Sequence, residues 1–115
     1  MEDAEFRNHA EKVIDKIVGG DFDSLKADYV YGSAYDRVNA LEIDVLEACE
    51  DQGWDFDRLS HMGREFRINR YQENSTDIEA VIECYLTENG SSKYLEIDLV
   101  LIRGHISIED VSFGA

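Results

Sequence analysis

Ile78-Glu79-Ala80-Val81-Ile82-Glu83-Cys84-Tyr85-Leu86, followed after a short polar stretch by Tyr94-Leu95-Glu96-Ile97-Asp98-Leu99-Val100-Leu101-Ile102, decides the fold class of this chain. Apolar residues take every second place in both runs: Ile78, Ala80, Ile82, Cys84 and Leu86 in the first, Leu95, Ile97, Leu99 and Leu101 in the second. Side chains alternate between the two faces of an extended strand, so each run predicts a strand with one buried side. Glu88-Asn89-Gly90-Ser91 between them is turn chemistry, which makes the pair antiparallel. A turn of Asn89-Gly90 alone sets Cys84 opposite Leu95, Ile82 opposite Ile97 and Glu83 opposite Glu96. A wider loop keeps the faces and sets Glu83 opposite Asp98 instead. In either register a carboxylate meets a carboxylate.

Working outward, Arg64 to Tyr71 alternates with Phe66 and Ile68 on one side. Beyond the tight turn Arg103-Gly104, Ile106 and Ile108 begin a last strand that ends with Val111 and Phe113. The phase slips near Glu109-Asp110, as a β-bulge requires. The N-terminal half has the other period. Phe6, Ala10, Val13, Ile14 and Ile17 recur at helical spacing up to Gly19-Gly20, and Asp21-Phe22-Asp23-Ser24-Leu25 reads as a capped short turn or helix running to about Ala27. The stretch 28–32 reads as a connection. Ser33 and Asp36 resemble a capping box opening a second long helix, striped by Ala34, Val38, Leu41, Val45 and Ala48, with Cys49 beside the stripe and Gly53 as its stop. Ile43 and Leu46 widen its apolar face, so it is expected to touch more than one neighbour. No internal repeat or proline interrupts the chain. Helices over about 3–53 and a sheet over about 64–113 predict one α+β domain across 1–115. In it, two amphipathic helices and a short one pack on a four-stranded antiparallel meander.

Composition narrows the function. Of 115 residues, 43% are hydrophobic, enough for a core and too many for a disordered acidic tail. The 26 acids against 11 bases give a net charge of −15, which repels nucleic-acid backbones and anionic membranes and leaves a basic protein as the compatible partner. No apolar run reaches signal-peptide or membrane-span length. Cys49 and Cys84 sit on apolar stripes and read as buried thiols, so a cytoplasmic protein is expected. Asn74-Ser75-Thr76 and Asn89-Gly90-Ser91, which match the glycosylation pattern, then read as turns.

Two acidic concentrations are candidate binding surfaces. The outward side of the central strands carries Glu79, Glu83, Tyr85, Tyr94, Glu96 and Asp98, acids for attraction and tyrosines for contact area. The plainer alternative is a solvated face whose acids pair with Arg67 or Arg70. Between Arg37 and Arg58 lie seven acids and no base, among them Glu47, Glu50, Asp51, Asp55 and Asp57, with Trp54 inside the run. Carboxylates near a helix C-terminus oppose its dipole. Either Trp54 is an interface anchor or it turns into the core while the acids keep the protein soluble.

Metal, cofactor and catalytic sites are not expected. Asp21-x-Asp23 and Asp55-x-Asp57 alternate as in a calcium loop but lack its glycine and terminal glutamate. His9, His61 and His105 lie on separate elements without ligand spacing. Gly19-Gly20 follows a helix and cannot open a dinucleotide site. A buried Cys84 is inert as a nucleophile.

Two resemblances enter at this point. Ile17-Val18-Gly19-Gly20-Asp21-Phe22-Asp23-Ser24-Leu25, Tyr85-Leu86-Thr87-Glu88-Asn89-Gly90-Ser91-Ser92 and Ile108-Glu109-Asp110-Val111 together resemble small bacterial α+β domains, some with a cone-shaped sheet like that of nuclear transport factor 2. Such a cone implies a small-molecule pocket or a homo-oligomer. In size, acidity and absence of catalytic groups the chain resembles bacterial immunity proteins of contact-dependent growth inhibition systems. That resemblance implies a protein that binds and blocks one cognate basic toxin domain, often a nuclease, without a cofactor; a monomer is favoured over an oligomer.

Overall fold

The computed structural model describes residues 1–32, 40–72 and 77–115. The elements run α1 (Asp3–Val18), α2 (Phe22–Asp28), β1 (Val30–Tyr31), α3 (Ala40–Gln52), α4 (Phe56–Ser60), β2 (Gly63–Arg70), β3 (Ile78–Thr87), β4 (Tyr94–Ile102) and β5 (His105–Gly114). Strands β2 to β5 form the expected antiparallel meander in an α+β fold. Val30–Tyr31, expected to be only a connection, adds a short fifth strand parallel to β5, giving the order β1-β5-β4-β3-β2. Ser33, Ala34, Asp36 and Val38, read as the start of the second helix, and Asn74-Ser75-Thr76 lie outside the described residues.

The β3–β4 register is the wider of the two alternatives, with Cys84 opposite Ile97 and Glu83 opposite Asp98. Ala80, Ile82, Leu86, Leu95, Ile97, Leu99 and Leu101 are all fully buried. They form one cluster with Phe6, Val13, Ile14 and Ile17 of α1 and with Leu41 and Val45 of α3. The helices therefore cover one face of the sheet, and the space between is filled by side chains. Both cysteines are free and buried there, and desolvation raises both thiols above the ordinary range. Arg103 and Gly104 both have positive φ, 51° and 77°, as a two-residue type I′ hairpin between Ile102 and His105 demands. The bulge falls at Glu109: Leu99 pairs with Ile108, and Asp98 with Asp110.

One local device is used twice. At the end of α1, the Gly20 N–H donates to Ile17 and that of Asp21 to Lys16; at the end of α3, the Gly53 N–H donates to Glu50 and that of Trp54 to Cys49. Gly20 and Gly53 have φ of 71° and 72°, so both ends are Schellman motifs with glycine in the left-handed position. Each is followed by an aspartate that caps a short helix: Asp21 accepts from the Ser24 N–H at 3.3 Å, Asp55 from the Arg58 N–H at 2.8 Å. The sequences are Asp21-Phe22-Asp23-Ser24-Leu25 and Asp55-Phe56-Asp57-Arg58-Leu59, with both leucines buried and the two phenylalanine rings in edge contact at 6.2 Å. Helix α4 was thus spelled by the motif already read as a short turn or helix at 21–25.

Arginines fasten α1 to the sheet. Arg64 donates to Glu11 at 2.9 Å and to Asp15 at 2.7 Å, Arg70 donates to Asp3 and to the Met1 carbonyl, each at 2.6 Å, and Arg7 lies 5.2 Å from the Phe66 ring centre. Arg70 is therefore spent on the helix side and does not serve the outer face.

Ile97→Ala, in the filled layer, should cost about 2–5 kcal/mol. Ile43→Ala, on an exposed position of α3, should stay within about 0.5 kcal/mol. Urea midpoints measured at unchanged slope check both.

Candidate functional site

Strand alternation sends everything the core does not take to the opposite face, which no described helix covers. Across that face one row runs Arg67, Glu83, Asp98, Asp110 from β2 to β5. The next row runs Glu65, Tyr85, Glu96, Ser112, and the following one Thr87, Tyr94, Gly114. Three carboxylates stand side by side on neighbouring strands, with Glu96 two residues from Asp98 on the same strand and face. Like charges directly opposite one another destabilise an antiparallel pair. The row is a repulsive arrangement held in place by the core behind it.

Only part of that charge is answered. Glu83 accepts from Asn69 Nδ2 at 2.9 Å and from the Tyr85 hydroxyl, a short contact that raises the phenol well above its ordinary value. Arg67 stacks over the Tyr85 ring, 5.1 Å from its centre, and pairs with Glu65 at 3.5 Å. Among the described residues no ion pair reaches Glu96, Asp98 or Asp110. Asp98 is half-buried, and its Oδ1 is buried without a hydrogen-bond partner. Desolvation first, then a side-chain hydrogen bond with Glu96, then repulsion from Glu96, Asp110 and Glu83, push its carboxyl up to about 7. Near neutrality this carboxyl takes up a proton far more readily than an ordinary aspartate, and a nearby cation would return it to the ionised form.

Beside the acids lies an aromatic ledge. The rings of Tyr85 and Tyr94 meet edge to face at 5.5 Å. Tyr94 lies over Gly114, where a Cβ would come within 2.5 Å of the ring, so the glycine gives the tyrosine its seat. Val100 and Ser107 on this side are 8% and 6% exposed.

The fold thus brings Glu83, Tyr85, Tyr94, Glu96 and Asp98 together on one face. Glu79, expected among them, is spent on the β4–β5 turn, where its carboxylate accepts the Gly104 N–H at 3.0 Å. Asp110 belongs to the row and was not singled out. The slip at Glu109 was the signal, because one unpaired residue there returns Asp110 to the acidic side. Glu47, Glu50, Asp51, Asp55 and Asp57 lie in the helical layer instead, all exposed. Asp55 is engaged as the α4 cap. Trp54 is no surface anchor: it is 7% exposed, joins the core and hydrogen-bonds Glu88, which also takes the Arg58 guanidinium at 2.7 and 2.9 Å. Ile43 and Leu46, expected against a second neighbour, are 47% and 44% exposed.

Among the described residues no group of three or more acids, histidines or cysteines could hold a metal ion, and no helix is long and apolar enough to cross a membrane. No protein-family model, curated protein or solved structure matches the chain.

The raised carboxyl fixes a pH dependence. Unfolded Asp98 titrates at about 3.9, so between roughly pH 4 and 7 the folded state binds the extra proton and stability falls as pH rises. Asp98→Asn, which keeps a donor toward Glu96, should therefore stabilise the protein by at least about 1 kcal/mol at pH 8. The gain should vanish by about pH 4, and unfolding of both proteins across that range checks it.

Proposed function

We propose that the protein is an acidic binding module that occludes a cationic protein with the face of its sheet that no described helix covers. The observation carrying this reading is the row Glu83–Asp98–Asp110, three carboxylates on adjacent strands, none of which has an ion-pair partner among the described residues. Stability alone would favour lysine or threonine at one of those positions. A lysine- or arginine-rich surface laid on this face relieves the repulsion and ionises Asp98, so binding gains what folding gives up. The net charge of −15 speeds encounter with a cationic surface, while Tyr85 and Tyr94 supply short-range contact beside the acids. The same charge disfavours self-association and suits a monomer.

The finer reading is an immunity protein that blocks a cognate toxin domain, a basic nuclease foremost, in the cytoplasm of the producing cell. Its support is the acidity of the chain, with a binding face on which no catalytic constellation stands among the described residues. A small-molecule carrier would need room between helices and sheet, where the inward positions of β3 and β4 are filled by buried aliphatic side chains.

Affinity capture from a lysate of the source organism, run in parallel with the wild-type chain and with Glu83→Lys/Glu96→Lys, tests the reading. One basic protein should remain at near-stoichiometric level through stepwise salt on the wild type, and the double variant should bind it at least about tenfold more weakly. A mixture of basic proteins released at modest salt, or equal retention by the variant, contradicts it.

A further inference from the structure

The acidic row does not stop in mid-sheet. It ends on β5, whose second side is only partly paired among the described residues. Strand β1 pairs with β5 only at Ser107 and Ile108, and the Gly32 N–H closes the ladder on the Ile108 carbonyl at 3.0 Å. Beyond the bulge at Glu109, residues 110–114 pair with β4 on one side and with no described strand on the other. An unpaired edge is a template for another strand.

Beside this edge lies a groove of about 370 Å³, walled by Asp44, Glu47 and Asp51 of α3 and floored by Val111 and Phe113 of β5. None of the three carboxylates has an ion-pair partner among the described residues. Phe113 is 44% exposed although it stands on the core side of the sheet, opposite Leu95. Successive side chains of a strand added here would point alternately to the two faces. One set would enter the groove against Asp44, Glu47 and Asp51. The other would continue the outer row next to Asp110. Asp44, Glu47 and Asp51 of the helical layer and Asp110 of the outer row therefore flank one strand edge.

We infer that residues 110–114 of β5 accept an extended, lysine- or arginine-bearing segment of the partner as an added strand, clasped between α3 and the outer acidic row. The inference rests on the binding of a cationic protein proposed above and adds how part of that partner is held. Backbone pairing supplies the register and the acids select the charge.

The probe is a capped peptide of alternating lysine and valine, compared with the same peptide carrying a central proline. Amide exchange resolved by residue should slow at 110–114 when the first peptide is added, and the proline peptide should bind at least about tenfold more weakly because it cannot complete the ladder. Glu47→Lys/Asp51→Lys should weaken the first peptide about tenfold or more. Glu2→Lys/Asp23→Lys, an equal change of net charge at residues that do not line the groove, should cost clearly less. Lysines near the end of α3 suit its dipole, so the groove variant should fold. Equal binding of both peptides, equal losses in both variants, or protection away from 110–114 overturns the inference. The capture experiment with Glu83→Lys/Glu96→Lys decides the underlying reading separately, since it scores retention of a whole partner and not where a strand pairs.

Discussion

The burial of Ala80, Ile82, Cys84 and Leu86 against Leu95, Ile97, Leu99 and Leu101 is the constraint from which the rest of the molecule follows. Because side chains alternate strictly, slipping this pair by one residue would carry every one of these groups to water. At about 25 cal/mol per Å² of apolar surface, that loss far exceeds any cross-strand charge repulsion. The core therefore dictates the register, and the register leaves Glu83, Asp98 and Asp110 in a line whether or not they repel. Helices α1 and α3 complete the burial on one side. The opposite side is left to whatever the alternating polar positions carry.

Much of this was legible in the sequence because it depends on parity and on local caps. The strand alternation of 80–86 and 95–101 and the stripe Phe6–Ala10–Val13–Ile14–Ile17 each correspond to one buried face, whereas Ile78, read as the start of the inward series, falls beyond a register shift before Ala80 and stands opposite Ile102. What escaped had weaker signals. Val30–Tyr31 is too short for any period to show, and it becomes a strand only because Ile108 presents an open carbonyl to Gly32. Helix α4 was hidden by reading Asp55 and Asp57 as surface charge, although the spelling Asp-Phe-Asp-x-Leu had already identified α2. Trp54 follows from the same motif, since the Schellman turn that ends α3 turns it inward onto the core.

The candidate site was legible in its composition and only partly in its geometry. Parity placed Glu83, Tyr85, Tyr94, Glu96 and Asp98 on one face. The turn had to be seen to learn that Glu79 serves Gly104, and the bulge to learn that Asp110 joins the row. Which arginine lies beside the acids follows from the parity of Phe66 and Ile68, which the sequence reading did not extend to Arg67 and Arg70. Arg70 lies on the parity that faces α1 and is held there by Asp3, whereas Arg67 lies on the other and stacks on Tyr85. The acids nearest β5 are thus left without an internal counterion among the described residues, at the edge where the groove beside α3 begins.

The central claim is that the core imposes an unanswered carboxylate row which a cation would relieve, and the side chain of Asp98 reports on it directly. Carboxyl ¹³C shifts followed against pH in the free protein would read its titration without any partner. The account predicts a midpoint raised to about 7. An Asp98 carboxyl titrating near the ordinary value of about 3.9 would contradict the account, because the row would then be fully solvated and under no electrostatic tension.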